Sequence, residues 1–201
     1  MKITVDELKR SKFFNRPVFS LKHFLMDETK NGIIAEFKRR SPSRGIINAM
    51  ADVVAVTTAY TLNGASGLSV LTDESFFGGS AEDLKKARIN NIPILRKDFI
   101  IDEYQVAEAR AMGADVVLLI AACLTPQRVK ELAVVAKNFQ LEVLLEIHTE
   151  DELQHICDET EIIGVNNRDL KTFIVDINRS IELSKRILQV KLNSRKRHKR
   201  C

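Results

Sequence analysis

One unit recurs along most of this chain and constrains its fold more than any other feature: a short apolar run, a polar turn and an amphipathic helical stretch. Near-continuous apolar runs of this length are typical of strands buried on both faces, and their alternation with helices predicts a parallel sheet covered by helices. The sequence therefore predicts an α/β protein with about six βα units. The runs are GIIAEF (32–37), GLSVLT (67–72), IPILRK (92–97), ADVVLLI (114–120), LEVLLEI (141–147) and EIIGVNN (161–167).

The stretches between these runs carry the start and stop signals of helices. Several open on Ser, Thr or Asp, whose side-chain oxygens cap helix N-termini. Three end near Gly64, Asn90 or Gly113, residue types that commonly terminate helices. The predicted helices lie within residues 51–64, 80–90, 102–113, 125–139, 149–159 and 175–186.

Two architectures are compatible with this alternation: an open doubly wound sheet and a closed (β/α)8 barrel of the TIM type. An open sheet gathers its ligand groups at one switch point, whereas barrel enzymes place theirs around one mouth, at the ends of several strands. Nearly every predicted strand here ends in polar residues, which favours the barrel. These residues are Glu36, Lys38, Thr72, Asp73, Lys97, Asp98, Glu146, Asn166 and Asn167.

The bulk properties favour a cytoplasmic protein. The N-terminus is charged and has no apolar signal-peptide core, and no apolar run approaches the length of a membrane span. Cys123, Cys157 and Cys201 are too few and too scattered for a disulfide framework or a zinc site. The basic character is confined to residues 185–201, which contain eight Lys or Arg and leave residues 1–184 at a net charge of −4. We expect a solvated, disordered tail rather than a nucleic-acid partner, because the tail has no stacking aromatic residues and no nucleic-acid motif.

Four charged residues at the strand ends are the candidate catalytic groups: Glu36, Lys38, Lys97 and Glu146. Glu36 and Lys38 are two residues apart, so a strand would present both on one face. Two lysines and two glutamates at one barrel mouth could supply an acid and a base. The four histidines show no metal-ligand spacing, and we expect surface or helix-packing roles for them. The sequence therefore predicts acid–base chemistry without a metal or an organic cofactor.

Six motifs closely resemble the indole-3-glycerol phosphate synthase family of tryptophan biosynthesis. They are IIAEFKRRSPSRG, LSVLTDESFFGGS, IPILRKDFIIDEYQV, GADVVLLIAACL, LEVLLEIHTEDEL and IIGVNNRDLKTF, in order from about Ile33 to Arg186. The resemblance implies a ribulose-phosphate-binding TIM barrel. It also implies a small phosphorylated substrate, 1-(2-carboxyphenylamino)-1-deoxyribulose 5-phosphate, which is closed to an indole with loss of CO2 and water.

The resemblance also implies individual roles. Lys97 matches the general acid, Lys38 a lysine that contacts the anionic groups of the substrate, and Glu146 a carboxylate that assists dehydration. Glu36 and Asn166 match polar groups that position the substrate and the catalytic residues. The remaining substrate-binding positions are Ser41 and Pro42 in the first loop, the apolar residues Phe77, Phe99 and Leu118, and Arg168 in the NRDL turn.

The end of the chain departs from the family pattern. We expect an N-terminal helical extension over 1–30, an incomplete barrel over 31–186 and a basic non-family tail over 187–201, with strands seven and eight and most of the phosphate site missing through truncation or a frameshift. Open barrel edges would then allow self-association. Two alternatives stay open: a non-catalytic barrel remnant that only binds or associates, and another phosphate-binding barrel enzyme, against which the four charged residues argue.

Overall fold

The computed structural model describes residues 3–168 and 176–198. Two short helices, α1 and α2, precede an alternation of strands and helices, and a hairpin of two short strands, β2 and β3, follows the first strand. The elements are α1 (Val5–Leu8), α2 (Leu21–Leu25), β1 (Ile34–Phe37), β2 (Arg40–Ser41), β3 (Gly45–Ile46), α3 (Val53–Leu62), β4 (Gly67–Leu71), α4 (Ala81–Ala87), β5 (Ile94–Lys97), α5 (Glu103–Met112), β6 (Val116–Ile120), α6 (Pro126–Asn138), β7 (Glu142–Ile147), β8 (Ile162–Val165) and α7 (Ile177–His198), with 3-10 turns at Ala121–Cys123 and Asp151–His155.

The main sheet contains six parallel strands in the order β1-β4-β5-β6-β7-β8. Each strand thus pairs with the next main-sheet strand along the chain, which is the order of a barrel and not of a doubly wound sheet, whose order reverses at a switch point. The sheet is curled, because Ile34 of β1 and Ile162 of β8, at opposite edges, both pack against one inner cluster around Leu118. A larger cluster includes residues of the helices α3 to α7 and of the sheet.

The predicted helix signals are confirmed in the structure. Asp52, Ser80, Asp102 and Thr125 each accept a backbone N–H with the side chain at the start of α3, α4, α5 and α6. Gly113 ends α5 in the left-handed region with φ 97°, which an L side chain adopts only with strain.

Helix α2 plugs the end of the barrel opposite the strand tips. Leu21 is fully buried, and its Cδ1 lies 2.7 Å from where a Cβ on Gly67 would be, so only glycine allows this approach. Glu142, at the start of β7, accepts hydrogen bonds from Ser20 Oγ at 2.5 Å and from the Leu21 and Lys22 N–H groups at 2.7 and 3.2 Å. The N-terminal segment is therefore fixed to the start of a strand far away in sequence.

Asp115, just before β6, forms a second anchor at the same end. Its buried carboxylate accepts from Arg16 Nη2 at 2.6 Å, Arg88 Nη1 at 2.5 Å, and the N–H groups of Phe19 and Ile94 at 2.8 and 2.9 Å. Buried carboxylates are tolerated when they are paired in this way. Asp115 thus joins the N-terminal segment, the turn after α4 and strand β5.

Three sequence expectations differ from the structure. The helical pattern at 149–159 forms only a 3-10 turn, in which the ring nitrogens of His155 contact the Leu124 and Glu152 carbonyls at 2.9 and 3.0 Å. The basic segment after residue 187 continues helix α7 to His198, where a disordered tail was expected. The N-terminal extension contains two helices of four and five residues and otherwise irregular chain.

Residues 169–173 of the IIGVNNRDLKTF motif and the last three residues of the basic tail lie outside the described residues. Within the described part, no helix has the length and apolar character needed to cross a membrane.

Candidate active site

A cavity of about 650 Å³ lies where the strands of the main sheet end. Its walls come from the loops and strand ends between β1 and the segment after β8, so it spans the whole curled sheet. A volume of this size is in the range of small-molecule sites. All eleven residues singled out in the sequence line it: Glu36, Lys38, Ser41, Pro42, Phe77, Lys97, Phe99, Leu118, Glu146, Asn166 and Arg168.

The cavity contains an ion pair between Lys97 and Glu146. Lys97 Nζ lies 3.1 Å from Glu146 Oε2, and their side chains are 26% and 15% exposed. Asn166 Nδ2 donates to the other carboxylate oxygen, Oε1, at 3.2 Å. Both oxygens of Glu146 therefore have a donor, and the ammonium of Lys97 is held in a partly desolvated position where it can donate a proton into the cavity.

A second ion pair joins Lys38 and Glu36 nearer the opening. The Lys38 Nζ contacts Glu36 Oε1, and both side chains are about one-third exposed, at 34% and 32%. Glu36 lies in β1 and Lys38 follows the strand, and both line the cavity as their spacing predicts. Because this pair is more exposed than Lys97–Glu146, its ammonium is the one more accessible to an anionic group entering from solvent.

The loop after β1 is tied to its neighbours, which places Ser41 and Pro42 at the rim. Arg39 donates two hydrogen bonds to Asp83, at 2.6 and 2.9 Å, near the start of α4. Arg40 Nε donates to the Phe76 carbonyl at 3.2 Å. The start of the hairpin of β2 and β3, directly after Lys38, is therefore fastened both to α4 and to the segment that precedes it.

Apolar side chains form the remaining walls. Leu118 belongs to the buried inner cluster and closes the base of the cavity. Phe99 is 41% exposed and packs edge to face against Phe76, with ring centroids 6.3 Å apart, and Phe77 lines the cavity beside them. Arg168 lies at the opposite rim, where its backbone N–H donates to Asn166 Oδ1 at 3.1 Å.

His148 lines the cavity too, although the sequence reasoning gave it a surface or helix-packing role. Its side chain is 9% exposed, with Nε2 3.6 Å from Glu146 Oε1 and Nδ1 3.8 Å from Glu152 Oε2. Neither ring nitrogen has a hydrogen-bond partner among the described residues. The signal was present in the sequence: His148 is two residues after Glu146, the same spacing that links Glu36 to Lys38.

Cys123 is a further cavity residue that the sequence reasoning did not select. Burial, followed by the negative charges of Glu146 and Glu152, raises the pKa of its thiol. A thiol with a raised pKa is a poor nucleophile at neutral pH, because the thiolate is the reactive form.

Residues 3–168 and 176–198 contain no cluster of three or more His, Cys, Asp or Glu side chains that could hold a metal ion. The predicted independence from metals and organic cofactors stays a prediction.

Comparison with known proteins identifies the family to which the chain is similar. The family model described as "Indole-3-glycerol phosphate synthase" matches residues 1–194. Among curated relatives, the chain is 52% identical to indole-3-glycerol phosphate synthase of Bacteroides thetaiotaomicron over 160 residues, which is 79% of this chain and 62% of the relative. It is 47% identical to the enzyme of that name from Acinetobacter baumannii, over 80% of this chain and 61% of the relative.

The chain therefore spans about three-fifths of the length of the curated relatives that it matches. A solved structure of the Bacillus subtilis YKUI protein, which has an EAL domain, superimposes with a TM-score of 0.51 over 89% of this chain and 48% of that one. Because the sequence identity to the YKUI protein is only 14%, this structural similarity concerns the fold alone.

Proposed function

The chain belongs to the indole-3-glycerol phosphate synthase family, and from this premise we propose that it is a carboxy-lyase that closes 1-(2-carboxyphenylamino)-1-deoxyribulose 5-phosphate to indole-3-glycerol phosphate. The observation that carries the proposal is the Lys97–Glu146 pair, whose Nζ and Oε2 lie 3.1 Å apart in the wall of the cavity. The family implies a TIM barrel, and the six parallel strands in sequential order agree with it.

In the proposed reaction, a ring carbon of the anilino group attacks the ketose carbonyl carbon. Lys97 donates a proton to the carbonyl oxygen, where negative charge develops as the new carbon–carbon bond forms. The bond to the ring carboxylate then breaks and releases CO2, and loss of the hydroxyl group as water completes the pyrrole ring. Glu146 assists this dehydration and stabilises positive charge on the intermediate, while Asn166 and Glu36 keep the charged groups in position.

The other cavity residues bind the substrate in this proposal. Lys38 attracts its anionic groups, and Ser41 and Pro42 lie in the loop that approaches the phosphate. Phe77, Phe99 and Leu118 contact the aromatic ring and exclude water, which strengthens the charge interactions. Arg168 supplies a cation at the far rim.

Several finer predictions belong to this proposal. They are the absence of barrel strands seven and eight and of most of the phosphate site, the domain boundaries at 30 and 186, a cytoplasmic location and independence from cofactors. Missing phosphate contacts would lower substrate affinity, since charged hydrogen bonds contribute about 1.5–3 kcal/mol each.

A non-catalytic barrel remnant that only binds or associates is the second candidate. The observation that favours it is the sheet order, in which β1 and β8 each pair with one neighbour among the described residues. Such edges invite self-association or the binding of another chain.

Indole fluorescence from the purified chain, supplied with the carboxyphenylamino-deoxyribulose phosphate, tests the proposal. We expect turnover that Lys97→Ala lowers by about 10²–10⁴-fold, the usual contribution of a general acid. Lys85→Ala, the same change on the exposed face of α4, is the matched control. A chain that circular dichroism shows to be folded but that produces no indole contradicts the catalytic proposal and favours the second candidate.

A further inference from the structure

Two of the polar residues found at strand ends in the sequence, Thr72 and Asp98, have no part in the proposed reaction. They follow β4 and β5, which pair with each other in the main sheet. Asp98 lines the cavity, whereas Thr72 is 8% exposed and is not one of the described residues that line it. The contacts of both residues converge on the end of β5, which carries Lys97.

Thr72 contacts three successive residues at the end of β5. Its backbone N–H donates to the Lys97 carbonyl at 3.1 Å. Its hydroxyl accepts from Arg96 Nε at 3.1 Å and donates to Asp98 Oδ2 at 2.5 Å. Arg96 Nη2 donates to the same Oδ2 at 3.0 Å and closes the triangle. The hydroxyl of Thr72 is therefore bound by the residues on both sides of Lys97, and its orientation is fixed because it both donates and accepts.

Arg96 supports the end of β5 from the face opposite to the cavity. Successive side chains of a strand point to opposite faces, so Lys97 extends into the cavity and Arg96 extends toward α5. Arg96 is 5% exposed, and its Nη1 donates to the Gln105 carbonyl of α5 at 2.7 Å. Because each of its three nitrogens has a partner, this guanidinium is held in one orientation.

The same contacts reach the aromatic wall of the cavity. Asp98 Oδ1 accepts the Phe99 N–H at 2.9 Å, and Gln105 Nε2 donates to the Phe99 carbonyl at 2.9 Å. Both oxygens of Asp98 therefore have donors from the protein, although the residue lines the cavity. Satisfied polar networks of this kind make the elements that they join more rigid.

The placement of Lys97 depends on how the end of β5 is held. Its Nζ lies 3.1 Å from Glu146 Oε2 on β7, and β5 and β7 are not neighbours in the described sheet. Backbone pairing therefore does not fix this distance directly. In enzymes, a displacement of about 1 Å at a reacting group can lower the rate by about 10²-fold.

We propose that Thr72 is a positioning residue for Lys97. Its hydroxyl, together with Arg96 and Asp98, holds the end of β5 so that the Lys97 ammonium stays within reach of Glu146 and of a ligand in the cavity. This role rests on the proposed function, in which Lys97 donates the proton. Turnover then depends on a hydroxyl that touches neither the substrate nor the reacting atoms.

Three threonine variants separate this role from general stability. Thr72→Val removes the hydroxyl and keeps the shape of the side chain, whereas Thr72→Ser keeps the hydroxyl. Thr61→Val is the control, since it removes a hydroxyl of α3 that donates to the Thr57 carbonyl at 2.9 Å. Circular dichroism verifies the folding of each chain. If Thr72→Val does not fold, Asp98→Asn replaces it, because it removes the charge that pairs with Arg96.

Steady-state fluorescence of the indole product is the first readout. We expect Thr72→Val to lower kcat by about 10- to 100-fold with KM within about 2-fold of the wild type, since the side chains that contact the substrate are unchanged. Thr72→Ser should keep kcat within about 2-fold of the wild type, and Thr61→Val should leave it unchanged.

Reductive methylation of lysines, with each site quantified by mass spectrometry, is the second readout and needs no activity. Only the free amine reacts, and a neighbouring carboxylate favours the charged ammonium. We expect Lys97 to react about 3-fold faster or more in Thr72→Val, because its ammonium is held less firmly by Glu146. Lys38, which pairs with Glu36 in the same cavity, should react at one rate in all chains.

Unchanged methylation of Lys97 in Thr72→Val would overturn the proposal whether or not the chain makes indole. In an active chain, three further results would overturn it: wild-type kcat in Thr72→Val, equal impairment of Thr72→Ser and Thr72→Val, or a rise in KM at constant kcat. If the wild type makes no indole, the proposed function fails, and the methylation of Lys97 decides the positioning role by itself.

Discussion

Lys97 and Glu146 lie 3.1 Å apart although they come from β5 and β7, two strands that do not pair with each other. Strand β6 lies between them, with Ile120 in register with Glu146. Their side chains meet because the sheet is curled and both extend over the inner face. The central ion pair of the candidate site is therefore a product of sheet curvature, and any change that flattens the sheet separates Lys97 from Glu146.

Glu146→Gln tests the carboxylate of this pair. We expect indole formation to fall by about 10²–10⁴-fold, because a neutral amide cannot assist dehydration or stabilise positive charge. The measurement is steady-state fluorescence of the product. Glu28→Gln, the same change on an exposed residue, should leave turnover unchanged, and a Glu146→Gln chain with normal turnover would remove Glu146 from the mechanism.

His148→Ala tests whether the buried imidazole acts through Glu146. Its Nε2 lies 3.6 Å from Glu146 Oε1, so we expect a loss of turnover of about 10-fold, equivalent to one interaction of about 1.4 kcal/mol. In the Glu146→Gln background the same substitution should have no further effect, because the carboxylate through which His148 would act is already absent. An equal loss in both backgrounds indicates a role independent of Glu146, and His23→Ala on the exposed face of α2 is the control.

Asp83→Asn should destabilise the chain in a pH-dependent way. Burial alone would raise the pKa of Asp83, but hydrogen bonds from Arg39 and Ser80 hold it below its ordinary value of 3.8. A carboxyl whose pKa is lowered on folding contributes stability above its unfolded pKa and loses it as the pH falls through the folded pKa. The variant should therefore be less stable than the wild type by about 1–3 kcal/mol at neutral pH.

This difference should begin to shrink as the pH falls below the ordinary value of 3.8, where the carboxyl of the unfolded chain takes up its proton, and should be lost once the pH falls through the lower folded pKa of Asp83. Urea unfolding from neutral pH into the acid range measures it. Glu82→Gln, at the exposed position beside Asp83, should give a small difference without that pH dependence. If the two chains differ in stability by the same amount at every pH, the packing of the Asp83 side chain and not its charge holds the loop after β1.

Asp115→Asn tests the anchor at the plugged end of the barrel. Removing this charge leaves Arg16 and Arg88 without their buried anion, and breaking buried pairs in this way costs about 3–5 kcal/mol. Thermal or urea unfolding gives the change, and the exposed Asp151→Asn is the reference. Because Asp115 lies far from the strand tips, variant chains that stay folded should keep substrate affinity; a loss of affinity would show that the two ends of the barrel are coupled.

Much of the fold was predictable because local pattern and tertiary environment agree. The strand predicted at 92–97 forms Ile94–Lys97, and the one predicted at 161–167 forms Ile162–Val165. The carboxyl ends of parallel barrel strands all lie around one opening, so polar residues at those ends predict a shared cavity from the sequence alone. Ser41 and Pro42, which lie in the loop after β1 and not at the end of a main-sheet strand, were predicted only from the family resemblance.

The parts that sequence reasoning missed depend on partners distant in the chain. Asp115 and Glu142 are the second residues of the predicted strands 114–120 and 141–147, and nothing local shows that they bind Arg16 and Ser20. The basic stretch after residue 187 was expected to be disordered because charge blocks repel, yet Leu183 and Ile187 anchor the helix that it continues. The position of His148 was predictable, because alternate residues of a strand share a face and His148 is two residues after Glu146. It was missed because the histidines were judged only by whether their spacing suits a metal ion.

The glutamate that holds α2 has a consequence for how the chain is made. Ser20 and Leu21 are bound by Glu142, more than a hundred residues later, so the plug cannot dock on the ribosome until β7 has been synthesised. Until then Leu21 and the inner faces of β4, β5 and β6 are open to water, and contacts of such long range form slowly. We therefore expect the growing chain to depend on chaperones late in synthesis, and the N-terminal residues, although made first, to be among the last to reach their native place.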